Sequence, residues 1–157
     1  MDEIVSITEL PVAPPPSLGD IGERAAALFL EENGYRIVMT NFKVPVGRNS
    51  KGVAVTGEID IVALDDETLC FIEVKTRRSA DFTPIITNVD LRKQRQITRT
   101  ARLYRRLFGV VDMPFRFDVV TVLMPKNADA EIELIRNFWN ESKFRKPKWQ
   151  ADNWITA

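Results

Sequence analysis

Two neighbouring apolar strands in this chain carry acids where a core is expected. One reads Gly57-Glu58-Ile59-Asp60-Ile61-Val62-Ala63-Leu64, the other Cys70-Phe71-Ile72-Glu73-Val74-Lys75-Thr76-Arg77. Side chains alternate along a strand, which predicts one face for Asp60, Glu58 and Val62 and one for Glu73, Phe71 and Lys75. Burying an unpaired charge is costly and normally requires a partner or a metal. Two carboxylates about 4 Å apart repel by roughly 4 kcal/mol at an effective dielectric near 20. A divalent cation turns that repulsion into coordination, and hard oxygen donors suit Mg2+ or Mn2+. Lys75 holds its ammonium beside the same place, where it can orient a water or steady charge on a phosphate.

Other chemistries are closed to the chain. It has no histidine, which removes Ser-His triads, His general bases and His metal sites. Its one cysteine, Cys70, excludes an internal disulfide and lies in an apolar strand, as an inert buried thiol does. No apolar run is long enough to span a bilayer. The first residues lack the basic flank and apolar stretch of a secretory signal, so a cytoplasmic location is expected. A length of 157 residues fits one domain with a single core. The formal net charge is zero, yet residues 1–34 hold seven acids and one base and residues 91–106 hold seven bases and no acid. Such a dipole presents a positive face while the total stays neutral.

Residues 1–17, with Pro11, Pro14, Pro15 and Pro16, read as an extended or disordered leader. Ser17 and Asp20 mark a helix start, and Asn33-Gly34 its end, which predicts a helix over 18–32. Its main apolar face is expected to be Ile21, Ala25, Leu28 and Phe29. Glu23 projects the other way, beside Ala26, Ala27 and Leu30, a small apolar face that can be covered too. It is either an exposed first-turn acid favoured by the helix dipole or a half-buried carboxylate of a site. Strands are expected over 35–46, 53–64 and 69–77 as an antiparallel meander, followed by a loop at 81–86 containing Pro84. A second helix begins near Thr87–Asp90, a pair resembling a capping box, and ends near Phe108-Gly109. Ile97, Ala101, Tyr104 and Phe108 form its apolar stripe, with Gln94 one step before Ile97. Arg92, Arg95, Arg99, Arg102 and Arg106 fall on one row. That row is either a solvated face or a phosphate-binding one. Arginine outnumbers lysine there six to one, which suits phosphate forks. A fourth strand over 115–124 follows a helical crossover and so lies parallel to the third. A fifth is expected over 130–138, followed by a basic, aromatic tail over 139–157. Asp118 reads as a structural carboxylate paired with a neighbouring base.

An isolated Asp, a short gap and then Glu-x-Lys resembles the PD-(D/E)xK nuclease signature. More narrowly, the chain resembles the YraN-type endonuclease family, itself similar to archaeal Holliday junction resolvases. The matching stretches are Gly19–Ala26, Asn33-Gly34-Tyr35, Asn41, Gly57–Ala63, Phe71–Arg77 and Arg116–Val120. The longer segment between Asn41 and Gly57 departs from the pattern. The resemblance implies a restriction-endonuclease-like α/β core: a mixed sheet with a three-stranded meander, a helical crossover and a parallel fourth strand, flanked by helices. It implies Asp60 and Glu73 as ligands of Mg2+ or Mn2+, with the Val74 carbonyl, and Lys75 as the catalytic lysine. It further implies Glu23 as an additional acid near the metal. In such nucleases a Gln or Lys of the second helix approaches the site. Gln94 is the candidate, unless it is simply a Gln at the sheet-facing start of a helix.

The function this implies is metal-dependent cleavage of nucleic-acid phosphodiester bonds, with DNA, branched DNA included, as the expected partner. Arg77 and the arginine row would hold the backbone. Cutting a junction needs two active sites and hence a homodimer. The alternatives are a non-catalytic nucleic-acid-binding module that keeps the fold, and an interaction protein docking through its Trp-containing tail. No membrane partner is expected.

Overall fold

In the computed structural model, which describes residues 11–79 and 89–145, Ser17 opens the first helix, α1 (Leu18–Glu32). The Ser17 hydroxyl accepts the Asp20 N–H at 3.1 Å, and the Asp20 carboxylate accepts the Ser17 N–H at 2.9 Å. This reciprocal box satisfies two of the four donors a helix start leaves open. Asn33 closes the helix, and Gly34 follows at φ 87°, a left-handed conformation glycine adopts freely. Gly22, Ala26 and Leu30 are buried, so the second, small face is covered; of the expected main face, Ala25 and Phe29 pack at the edge of the core and Leu28 is 61% exposed. Small residues let the helix approach the sheet closely. A Cβ on Gly22 would stand 1.9 Å from Thr76 Oγ1, so no larger residue fits.

Strands β1 (Arg36–Arg48), β2 (Ala54–Asp65) and β3 (Thr68–Arg77) pair antiparallel in sequence. Helix α2 (Leu91–Leu107) crosses over to β4 (Phe115–Leu123), which runs parallel to β3, and β5 (Glu131–Trp139) pairs antiparallel at the far edge. The five-stranded sheet has the order β1-β2-β3-β4-β5. This is the expected α/β architecture of helix, meander, crossover and parallel strand. The cap of α2 differs from the expected one: Asp90 is the N-cap and accepts the Lys93 N–H at 2.9 Å. Thr87, the 81–86 loop, residues 1–10 of the leader and residues 146–157 of the tail lie outside the described residues.

The sheet has a core on each face. On the α2 side, Phe42, Ile59, Val62, Phe71 and Phe117 pack with Ile97, Ala101 and Tyr104. On the α1 side, Ile61, Ala63, Ile72, Val120 and Val122 pack with Ala26 and Leu30. Each fully buried Val, Leu, Ile or Phe among them contributes about 1.5–3 kcal/mol, which fixes both helices against the sheet. Trp139, assigned above to the tail, is the last residue of β5 and 4% exposed. It stacks on Phe117 at 4.7 Å and donates its indole N–H to Thr98 at 2.9 Å. Cys70 is fully buried, and burial pushes its thiol up to about 12. Asp118 is structural as expected: fully buried, it accepts from Arg116 at 2.9 Å and from the Asn137 N–H at 2.8 Å. Among the described residues no helix is long and apolar enough to cross a membrane.

Candidate active site

The ladder between β2 and β3 runs from Asp65↔Thr68 to Ile61↔Ile72 and stops there. The next rung would join Asp60 to Glu73. Instead the strands part, and the Val74 N–H donates to Asp60 Oδ2 at 2.8 Å. β3 stays paired to β4 as far as Arg77↔Leu123, so β2 is the strand that leaves. The notch holds both acids, 8% and 3% exposed. Glu73 Oε1 lies 3.1 Å from Lys75 Nζ and 3.8 Å from Lys93 Nζ. Glu73 Oε2 is buried without a hydrogen-bond partner. Burial first, then the charge and hydrogen bond of Glu73, push the Asp60 carboxyl up to about 7, against the opposing pull of the Val74 N–H and Lys93.

Strict alternation does not hold along β2. Ile59 and Val62 lie in the α2-side core, and Ile61 and Ala63 in the α1-side core, so the strand changes face at Asp60. Asp60 therefore does not share a face with Val62 as the sequence predicts. Glu73 does share its face with Phe71 and Lys75.

Glu23 reaches the edge of this notch because Gly22 seats α1 against Thr76. It is half-buried, and its carboxyl is raised by burial first and then by the charge of Asp60, while a hydrogen bond with Asn41 opposes the rise. Glu23 is thus half-buried rather than an exposed first-turn acid.

Gln94 does not reach the acids. Its amide donates to the Val89 carbonyl at 2.8 Å and accepts from Lys143 at 3.1 Å, tying the start of α2 to the turn after β5. The residue of this helix that meets Glu73 is Lys93, which the sequence reading passed over. Nor is the arginine row uniformly free. Arg99 donates to the Val46 carbonyl, and Arg102 pairs with Glu141 at 3.2 Å. Arg92, Arg95 and Arg106 are exposed, and Arg77 is partly so. Arg92, Arg95, Arg99 and Gln96 face Val46 and Val55 across a cleft of about 190 Å³.

The donor set suits a hard divalent cation. Two buried carboxylates converge, one with an unsatisfied oxygen, and like charges so placed attract a cation. Among the described residues no three His, Cys, Asp or Glu side chains stand close enough to share an ion. A cation here would take few protein ligands and keep its waters, as Mg2+ prefers.

Residues 22–122 match the family model described as Uncharacterised protein family UPF0102. A UPF0102 protein of Acetivibrio thermocellus is 41% identical over 123 residues, covering 76% of this chain and 88% of its own. One of Desulfosudis oleivorans is 42% identical over 119 residues, covering 76% of this chain and 86% of its own. A crystal structure of SSO0001 aligns over 79% of this chain and about half (52%) of its own, at 18% identity and a TM-score of 0.35. By family model and relatives alike, the chain belongs to the UPF0102 family, the YraN-like group that its motifs resemble.

Proposed function

We propose that this chain is a divalent-cation-dependent endonuclease acting on DNA, with branched DNA as the first substrate to try. The observation that carries the reading is the meeting of Asp60 and Glu73 in a buried notch with two lysines on the same carboxylate. Asp60, Glu73 and the Val74 carbonyl would hold Mg2+ or Mn2+. When bound, the cation supplies an activated water and neutralises charge on the phosphate. Lys75 and Lys93 orient the nucleophile and stabilise charge that develops on the phosphoryl oxygens. Glu23 bounds the site from α1. Exposed Arg92 and Arg95, with Arg77 at the end of β3, track the backbone. Phosphate contacts of this kind set position rather than sequence preference. Cutting both strands of a junction takes two such sites, so junction cleavage would require two copies of the chain.

The test is to incubate pure protein with four-way, nicked, linear duplex and single-stranded DNA and with RNA, in Mg2+, Mn2+ or chelator. Cleavage that needs metal and is lost in Asp60→Ala and Glu73→Ala supports the proposal. Salt-sensitive binding without cleavage under every condition leaves a nucleic-acid-binding module in a nuclease fold. Cleavage by Asp60→Ala at the wild-type rate removes the proposed site.

A further inference from the structure

Asn41 lies opposite Asp60 in β1 at φ 52°, inside the left-handed region. Non-glycine residues seldom take this conformation, and Asn is among the few that do so readily. The other such residues have separate settings: Asp66 lies in the β2–β3 turn, and the Asn137 N–H donates to Asp118. On either side of Asn41 the ladder is regular, with Thr40 against Ile61 and Phe42 against Ile59. Yet Met39 and Phe42, three residues apart, pack on the same side, as do their partners Val62 and Ile59. Both strands thus change face at one rung, Asn41 against Asp60. This leaves Asp60 between the two cores, where its carboxylate spans the notch to the Val74 N–H. The Asn41 side chain meanwhile stands near enough to Glu23 to oppose the rise of its carboxyl. Asn41 and Glu23 also border a cavity of about 380 Å³, so their contact forms part of a wall rather than of packed core.

We propose that Asn41 is a positioning residue of the site, turning β1 at the Asp60 rung through its backbone and holding the Glu23 carboxylate near Asp60 through its amide. The inference deepens the cation-site reading and rests on it for the consequence, though not for the contact itself. An amide orients Glu23 without adding charge, which a lysine there would not do. Glu23 is on α1 and Asp60 on β2, and Asn41 lies on β1 at the Asp60 rung and beside the cavity that Glu23 borders.

The contact is tested without metal and the consequence with it. Thermal melts in chelator compare wild type, Asn41→Asp, and Asn41→Asp with Glu23→Gln. Asn41→Asp sets two carboxylates against each other and should melt lower. The double variant exchanges donor and acceptor and should regain most of the loss. A double variant that melts no higher than Asn41→Asp overturns the contact. Mn2+ titration calorimetry then compares wild type, Asn41→Gly, Glu23→Gln and the combination of the last two. Glycine keeps the left-handed turn, so Asn41→Gly should fold and bind Mn2+ several-fold more weakly. The combination should bind no more weakly than Glu23→Gln alone, because Asn41 acts through Glu23. Unchanged Mn2+ affinity in Asn41→Gly, or losses that multiply in the combination, overturns the positioning role. Wild type that binds no Mn2+ sinks the cation reading and with it the consequence for Asn41, while the melts decide the contact alone.

Discussion

The Val74 N–H donates to the Asp60 carboxylate at 2.8 Å across the gap where β2 leaves β3. A backbone donor that would otherwise continue the ladder is thus given to an acid side chain, and Glu73, next to Val74, is brought against the same acid. The result is a carboxyl poised near neutrality inside a sheet.

That poise predicts a pH dependence of stability. Asp60 is raised from 3.8 to about 7, so the folded state holds its proton more tightly than the unfolded chain does. The stability from this group is full below about pH 3.8 and is lost as pH rises through about 7. At the steepest the loss is about 1.4 kcal/mol per pH unit. Asp60→Asn cannot ionise and should exceed wild type by roughly 1–3 kcal/mol at pH 8, with little difference near pH 4. Urea denaturation at several pH values measures this. An Asp60→Asn protein less stable than wild type at pH 8 would contradict the assignment.

Lys93 and Gln94 should separate activity from stability. Lys93→Ala removes a cation 3.8 Å from Glu73 and should lower the single-turnover rate by about ten- to a hundredfold with the fold retained. Gln94→Ala leaves the Val89 carbonyl and Lys143 without this amide and should cost about 1–3 kcal/mol of stability. Its effect on the rate of the folded fraction should stay within a few-fold. Denaturation curves alongside single-turnover kinetics check both. The reverse pattern would reinstate Gln94 as the site residue.

The exposed Arg92 and Arg95 and the Glu141-paired Arg102 should also behave differently. Arg92→Ala with Arg95→Ala should lower the log–log salt slope of DNA binding by roughly 1.4–1.8, two phosphate contacts' worth. Arg102→Ala should hardly change the slope, because its guanidinium is paired with Glu141. Gel shifts across a salt series measure the slopes, and equal effects from the two variants would place the binding face elsewhere.

Gly22→Ala should destabilise by at least about 1–3 kcal/mol, since its Cβ would meet Thr76 Oγ1 at 1.9 Å and the backbone must move. The same shift carries Glu23 away from Asp60. Thermal melts test the first effect; a Gly22→Ala protein as stable as wild type would mean that α1 does not seat there.

Much of this was legible beforehand. Leu18–Glu32 and its Ser17–Asp20 box follow from local cap chemistry. The strand order follows from apolar runs and turn residues, and the Glu73–Lys75 face from simple alternation. What escaped depended on close approach or on one dihedral angle. The close seat of α1 depends on the missing side chain of Gly22, which no hydrophobic pattern reveals, and Leu28 of the expected main face is exposed. The face change at Asp60 coincides with a positive φ at Asn41, and residue alternation cannot show that. Gln94 is buried on the apolar stripe as expected, but its amide is taken up by Val89 and Lys143, and it is Lys93, roughly 100° round the helix, whose ammonium lies 3.8 Å from Glu73.

The most direct measurement is a calorimetric titration of Mn2+ into wild-type and Asp60→Ala protein at pH 6 and pH 8. One Mn2+ per chain is expected, bound more tightly at pH 8, because a ligand poised near pH 7 must give up its proton to coordinate. Asp60→Ala should lose this binding at both pH values. Wild type that takes up no Mn2+, or Asp60→Ala that binds it as tightly as wild type does, would contradict a cation site at Asp60 and Glu73.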